Sequence, residues 1–229
     1  MKKRNQVDLR NEIITSLPKD PAERLKLFMD PWIFISTCVF TKDEVAKTDS
    51  TKPAPIDLYY LYALTRGWEA HNKVSIVKSR RMWLTWLMCA LHLHMAMTQP
   101  DRNIFLVSMS EDFSIKLIEK CKFIYNHIPE DVWPMAYRPK MNDKRADRIV
   151  FDELGSRMSG IPMGKNKLRS ETASAIMADE FAFWELAEES YAAFMPCIEG
   201  GGKVTLLTTV EPGSYAKKIH FDMMDDEKV

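Results

Sequence analysis

Glycine is scarce in this 229-residue chain. There are eight, three of them consecutive at Gly200, Gly201 and Gly202. An average composition would hold about twice as many, and no Gly-rich dinucleotide-binding fingerprint can be drawn from these. Net charge is also missing: 32 Lys and Arg balance 32 Asp and Glu, which excludes a globally basic nucleic-acid coat but leaves room for a local basic track. No apolar run approaches the roughly 18 residues a membrane span requires, so no membrane association is expected. The start, MKKRNQVDLRNE, has no apolar core of a secretory signal. The four cysteines, Cys38, Cys89, Cys121 and Cys197, lie far apart without metal-knuckle spacing and read as free buried thiols. His92 and His94, two apart on one helix, cannot form a helical metal pair and read as packing or capping residues.

What is present is a soluble-type balance of 46% hydrophobic and 28% charged residues, enough for a core that folds alone. Residues 1–54 are polar and mixed, with a helix expected at about 21–29, a short extended piece in PWIFISTCVF (31–40) and a loop over 41–55. Strand and helix signals then alternate. Helices are expected over 57–70, 84–97, 111–128 and 181–198, and strands over 74–78, 104–108, 148–152, 157–162, 174–179 and 203–209. Apolar strands without alternation, separated by helices, predict a parallel sheet covered on both faces. Charge is unevenly placed: 138–169 holds nine Lys/Arg against four Asp/Glu, and 179–199 holds six Asp/Glu and no Lys/Arg. These segments read either as solvated faces or as a phosphate-facing region beside a cation-binding one.

Three segments can carry chemistry. AIMADEFAFW (175–184) is an apolar strand ending in Asp179 and Glu180. At the carboxyl end of a parallel strand such residues face the ligand crevice; Asp179 could hold Mg²⁺ through oxygen, and Glu180 could orient an attacking water. The pair could equally cap the following helix. The second segment, KSRRMWLTW (78–86), runs from a strand directly into a helix. The pattern G-x-x-x-x-G-K-[ST] is absent. A strand, a short turn and a helix N-terminus can nevertheless bind phosphate through backbone N–H groups, with Lys78, Arg80 and Arg81 supplying charge and Thr85 a hydroxyl for Mg²⁺. A plain basic turn is the alternative. Third, TLLTT (205–209) ends a strand in two hydroxyls. The order of the three, with the Asp-Glu strand about 95 residues after the first turn and the Thr-Thr end about 28 beyond it, matches a nucleoside-triphosphatase core.

On these residues the chain resembles the ATPase domain of phage large terminases, the motors that package DNA into procapsids. The resemblance covers roughly residues 55–215. It is strongest in SGIPMGKNKLRSETASAIMADEFAFWE (159–185), with further likeness in KSRRMWLT, SMSEDFSIKLIEKCKFIYNHIP (108–129) and LLTTVEPG. It implies a RecA-like P-loop NTPase fold of the additional-strand catalytic-glutamate type: a parallel-rich sheet with helices on both faces and an N-terminal helical arm. The implied divisions are 1–54 arm and linker, 55–215 ATPase core, and 216–229 the start of a linker toward a nuclease domain. The implied cofactors are ATP and Mg²⁺.

By resemblance, the phosphate loop comprises Lys78, Ser79, Arg80, Arg81, Met82, Trp83, Leu84 and Thr85, with Lys78 neutralising the phosphates from its front. Thr85 and Asp179 would bind Mg²⁺, and Glu180 would be the catalytic carboxylate. Arg169 would be a finger donated to a neighbouring subunit, worth about 10³–10⁵ in rate in NTPases generally. Thr208 and Thr209 would couple hydrolysis to movement. The implied partners are double-stranded DNA, a portal protein, a small terminase subunit and further copies of this chain in a ring on the procapsid. The implied location is the host cell cytoplasm, transiently at the procapsid. Trp83 departs from the family's usual glycine, Leu84 from the usual lysine, and Ser170 from a frequent glycine. No acidic cluster for a two-metal nuclease site is visible, so no nuclease activity is expected. Two other readings remain: a degenerate P-loop module that binds partners or DNA without turnover, and a helicase-like remodelling ATPase.

Overall fold

The computed structural model describes residues 6–42, 51–164, 168 and 171–226. Three short helices open the chain: α1 (Gln6–Ser16), α2 (Pro21–Leu27) and α3 (Pro31–Cys38). The latter two begin alike. Asp20 and Asp30 accept hydrogen bonds from N–H groups of the first turn, and each is followed by proline, whose fixed φ suits the first helical position. The 31–40 segment is therefore mostly helix rather than extended. The cap and the proline outweigh the strand preference of its Ile and Phe.

Strands β1 (Phe40–Lys42) and β2 (Thr51–Pro53) pair antiparallel, where the sequence suggested only loop. Arg10 of α1 is buried, donates to the Thr37 and Val39 carbonyls and lies 4.2 Å from the centre of the Phe40 ring. This ties the arm together.

The remaining elements are α4 (Tyr59–Ala70), β3 (Lys73–Lys78), α5 (Leu84–Thr98), β4 (Asn103–Ser108), α6 (Glu111–Asn126), β5 (Arg148–Phe151), β6 (Ser156–Pro162), β7 (Ala175–Asp179), α7 (Ala187–Ile198), β8 (Lys203–Thr209) and α8 (Tyr215–Asp226). The six-stranded sheet has the order β3-β8-β7-β4-β6-β5, parallel throughout except for β5. This is the RecA-like α/β arrangement. The last strand in sequence, β8, is inserted between β3 and β7.

Period-two alternation sorts the core. Ile104, Leu106, Met177 and Leu207 face the side packed by α3, α4, α5 and α6. Phe105, Val107, Ile176, Ala178, Val204 and Leu206 face α7 and α8. Helix α5 is buried continuously from Leu87 to Met97, which explains its apolar composition on every face. Its histidines are absorbed by carbonyls, His92 Nδ1 at 2.7 Å from the oxygen of Met88 and His94 Nε2 at 2.7 Å from that of Phe28. All four cysteines are buried and free.

Glycine is required where α6 crosses β6. A Cβ on Gly160 of β6 would lie 2.7 Å from the Ser114 carbonyl oxygen, so α6 sits directly on the strand backbone. The expected helix over 181–198 is split into a 3₁₀ turn, Phe181–Phe183, and α7. Residues 215–226 form α8, packed on β3 and on that 3₁₀ turn. Among the described residues no helix is long and apolar enough to cross a membrane.

Candidate nucleotide site

The C-terminal ends of β3, β8 and β7 lie side by side. Lys78 is in register with Thr209, and Asp179 with Leu207. Parallel strands point their carboxyl ends at one crevice, so residues about 100 positions apart converge there. Lys78 Nζ donates to Glu180 Oε1 at 2.6 Å, with the lysine side chain 8% exposed and the glutamate 31%. The other oxygen, Oε2, accepts from both the backbone N–H and the hydroxyl of Thr209, each at 3.2 Å. Thr85, in the first turn of α5, donates to Asp179 Oδ1 at 3.3 Å. Burial pushes the Asp179 carboxyl up to about 6, with Glu180 adding to the rise and Lys78 and Thr85 opposing it.

Two supports sit below this cluster. Trp184 is 5% exposed and donates its indole N–H to the Asp179 carbonyl at 3.0 Å, pinning the strand end. Thr208 turns away from its neighbour Thr209: its hydroxyl accepts the Ala182 N–H at 3.0 Å, fixing the turn that carries Glu180. Thr209 thus touches the carboxylate and Thr208 its frame. Glu180 itself is left-handed, φ 53 and ψ 41. For a residue with a Cβ that costs about 1–3 kcal/mol, strain of the kind concentrated at functional sites.

The turn from β3 to α5 is Ser79–Trp83. Arg81 and Trp83 are also left-handed, with φ of 64 and 63, and such reversals turn backbone N–H groups to one side. Trp83 makes no side-chain cap to α5, and the helix's first turn holds no acid, so its leading N–H groups remain open to an anion. Arg80 and Arg81 are exposed, Leu84 is buried at 2% exposure, and Lys78 approaches from the strand. Leu84 is therefore a core residue, and the cation comes from the front of the turn.

Arg169 and Ser170 lie outside the described residues. Among the described residues no group of three His, Cys, Asp or Glu side chains gathers as a metal cluster. The hard oxygens of Thr85 and Asp179 still suit Mg²⁺, which keeps several waters and takes few protein ligands beside phosphate oxygens. Sequence reasoning missed the contact of Tyr60 with the turn, in which its hydroxyl donates to the Met82 carbonyl at 3.0 Å. Nothing in the local pattern of α4 marks it, because the contact spans 22 positions. It also missed the direct Lys78–Glu180 pair, which depends on strand order.

The carboxyl edge of a RecA-like sheet thus carries an uncapped helix N-terminus, a lysine and adjacent carboxylates. Comparison of the fold is more specific. The chain superposes on the HK97 bacteriophage large terminase with a TM-score of 0.63, over 88% of this chain and 42% of that one, at 9% identity. It superposes on the large terminase of a thermophilic bacteriophage with a TM-score of 0.52, over 69% and 39%, at 18% identity. The chain thus spans about two-fifths of the length of these proteins, with which it shares the fold. No protein-family model and no curated protein matches the sequence.

Proposed function

We propose that this chain is the ATP-hydrolysing part of a viral DNA-packaging motor, with residues 55–215 as its catalytic core. The observation that carries this reading is the convergence of Lys78, Thr85, Asp179, Glu180 and Thr209 from three adjacent strands and one helix N-terminus. The open amides of the β3–α5 turn and Lys78 would hold the phosphates. Thr85 and Asp179 would hold Mg²⁺, which would neutralise charge on the phosphate oxygens. Incoming phosphate competes with Glu180 for Lys78. Released from that pair, the carboxylate can orient a water for in-line attack and accept its proton. Thr209, bonded to the same carboxylate, links the chemistry to β8 and so to α8.

In this reading Arg169 acts on the site of a neighbouring copy in a ring on the procapsid. Double-stranded DNA, a portal protein and a small terminase subunit are its partners, in the host cell cytoplasm. The fold shared with phage large terminases supports it.

The test is Mg-ATP turnover per subunit against protein concentration. Glu180→Gln should lose about 10²–10⁴-fold in rate while still binding Mg-ADP. Arg169→Ala should remove any rise of turnover with concentration. Wild type and Glu180→Gln with equal turnover would contradict hydrolysis here; nucleotide binding with no turnover in either would favour the non-hydrolysing module.

A further inference from the structure

The turn Ser79–Trp83 contains no glycine, yet Arg81 and Trp83 are left-handed and the sign of φ alternates across Met82. Phosphate-embracing loops ordinarily take such geometry from glycine, which adopts it without steric cost. Here three contacts impose it. Trp83 is half-buried against the main core, and its indole N–H lies 3.5 Å from the hydroxyl of Thr41 on β1. Tyr60, in the first turn of α4, donates to the Met82 carbonyl. The Ser79 N–H reaches Met82 Sδ at 3.4 Å, closing the turn on itself. Two of the three come from β1 and α4, outside the strand–turn–helix unit.

We propose that Trp83 and Tyr60 are positioning residues through which β1 and α4 hold the turn ready for phosphate. The inference rests on the reading of this turn as the phosphate site. A glycine loop samples many conformations and loses them on binding. A loop without glycine starts with fewer, and anchoring it in the binding shape removes that cost from the ligand's affinity. The Trp83 ring offsets the strain of its own backbone. Alanine at 83 would keep the steric cost of φ near 63 and lose the ring. Glycine would lose both.

The experiment compares wild type, Trp83→Ala, Trp83→Gly and Tyr60→Phe by three measurements: amide hydrogen exchange of residues 79–85 without nucleotide, calorimetric affinity for Mg-ADP, and Tm. Trp83→Ala should speed exchange in the turn and weaken Mg-ADP by about tenfold or more. Trp83→Gly should bind more tightly than Trp83→Ala, although it removes more side chain. Tyr60→Phe, which keeps the ring, should weaken binding about threefold, the scale of one hydrogen bond, at nearly constant Tm. A merely structural role makes affinity follow Tm across the set, with no faster exchange in the turn than in the rest of the chain. The proposal is overturned by unchanged exchange in Trp83→Ala, or by affinity in Trp83→Gly at or below that of Trp83→Ala. Failure of wild type to bind Mg-ADP overturns the nucleotide reading instead, while exchange, which uses no nucleotide, still decides the anchoring.

Discussion

Two strand-to-helix turns leave the same edge of the sheet and end differently. Between β4 and α6 the link is two residues, Met109 and Ser110. The Ser110 hydroxyl accepts the Phe113 N–H at 3.4 Å, and Glu111 and Asp112 stand in the first turn. Between β3 and α5 the link is five residues, two of them left-handed, with no side-chain cap and no acid following. The first helix start caps one of its own amides and sets two acids against its partial charge. The second leaves both open, beside Lys78. Nearly equivalent topology thus yields one structural turn and one that can receive an anion. The difference lies in which side chains complete the helix terminus.

The largest expected effect comes from making the open turn resemble the closed one. Thr85→Glu puts a carboxylate in the first turn of α5, beside Asp179. At about 4 Å and an effective dielectric near 20 a like-charge pair costs about 4 kcal/mol, so Mg-ADP binding should weaken by at least about a hundredfold in calorimetry. An acid at the same point on α6 is already native.

The next effects lie in the bodies of these helices. Burial holds His92 on α5 neutral and lowers it to about 4, with Lys203 acting in the same direction. A group whose folded pKa is depressed below the unfolded value near 6.5 takes its proton on unfolding first. As pH drops from 6.5 toward 4, His92 should therefore take away about 2 kcal/mol of stability by pH 5, while the raised Asp179 carboxyl acts in the opposite direction over the same range. Chemical denaturation of wild type and His92→Phe across that range checks this; the difference between their stability curves should follow the His92 contribution. On the α6 side, Gly160→Ala forces a Cβ toward the Ser114 carbonyl and should cost about 1–3 kcal/mol, read as a lower urea midpoint with little change in Mg-ADP affinity. The smallest effect is Ser110→Ala, about 1 kcal/mol of stability and no change in nucleotide binding. A loss of binding there would erase the distinction between the turns.

Much of this was legible in the sequence, for identifiable reasons. The β-branched and apolar runs at 74–78, 104–108, 174–179 and 203–209 marked the parallel strands. Asp179 and Glu180 stood out as acids at the end of such a run. Lys78 and Thr85 bracketed a strand-to-helix turn. Helix α3 was hidden by strand-forming side chains although its start, Asp30-Pro31, was in view. Helix α8 is hidden because, among its described side chains, only Ala216 and Ile219 are buried apolar positions, too few to mark a stripe. The placement of β8 between β3 and β7 is a property of the assembled sheet, and the Lys78–Glu180 contact follows from it. Trp83 shows the limit of motif reading most clearly. Its backbone takes the conformation expected of glycine, because a large ring anchored 42 positions away on β1 offsets the strain.

The central claim, that the β3–α5 turn and not its neighbour receives phosphate, is tested most directly by amide NMR of the labelled chain during titration with Mg-ADP. Shifts are predicted to concentrate at Lys78–Thr85, with lesser changes at Asp179, Glu180 and Thr209, and none over Ser108–Phe113. Shifts centred on the β4–α6 turn, or an unperturbed β3–α5 turn at saturating Mg-ADP, would contradict it.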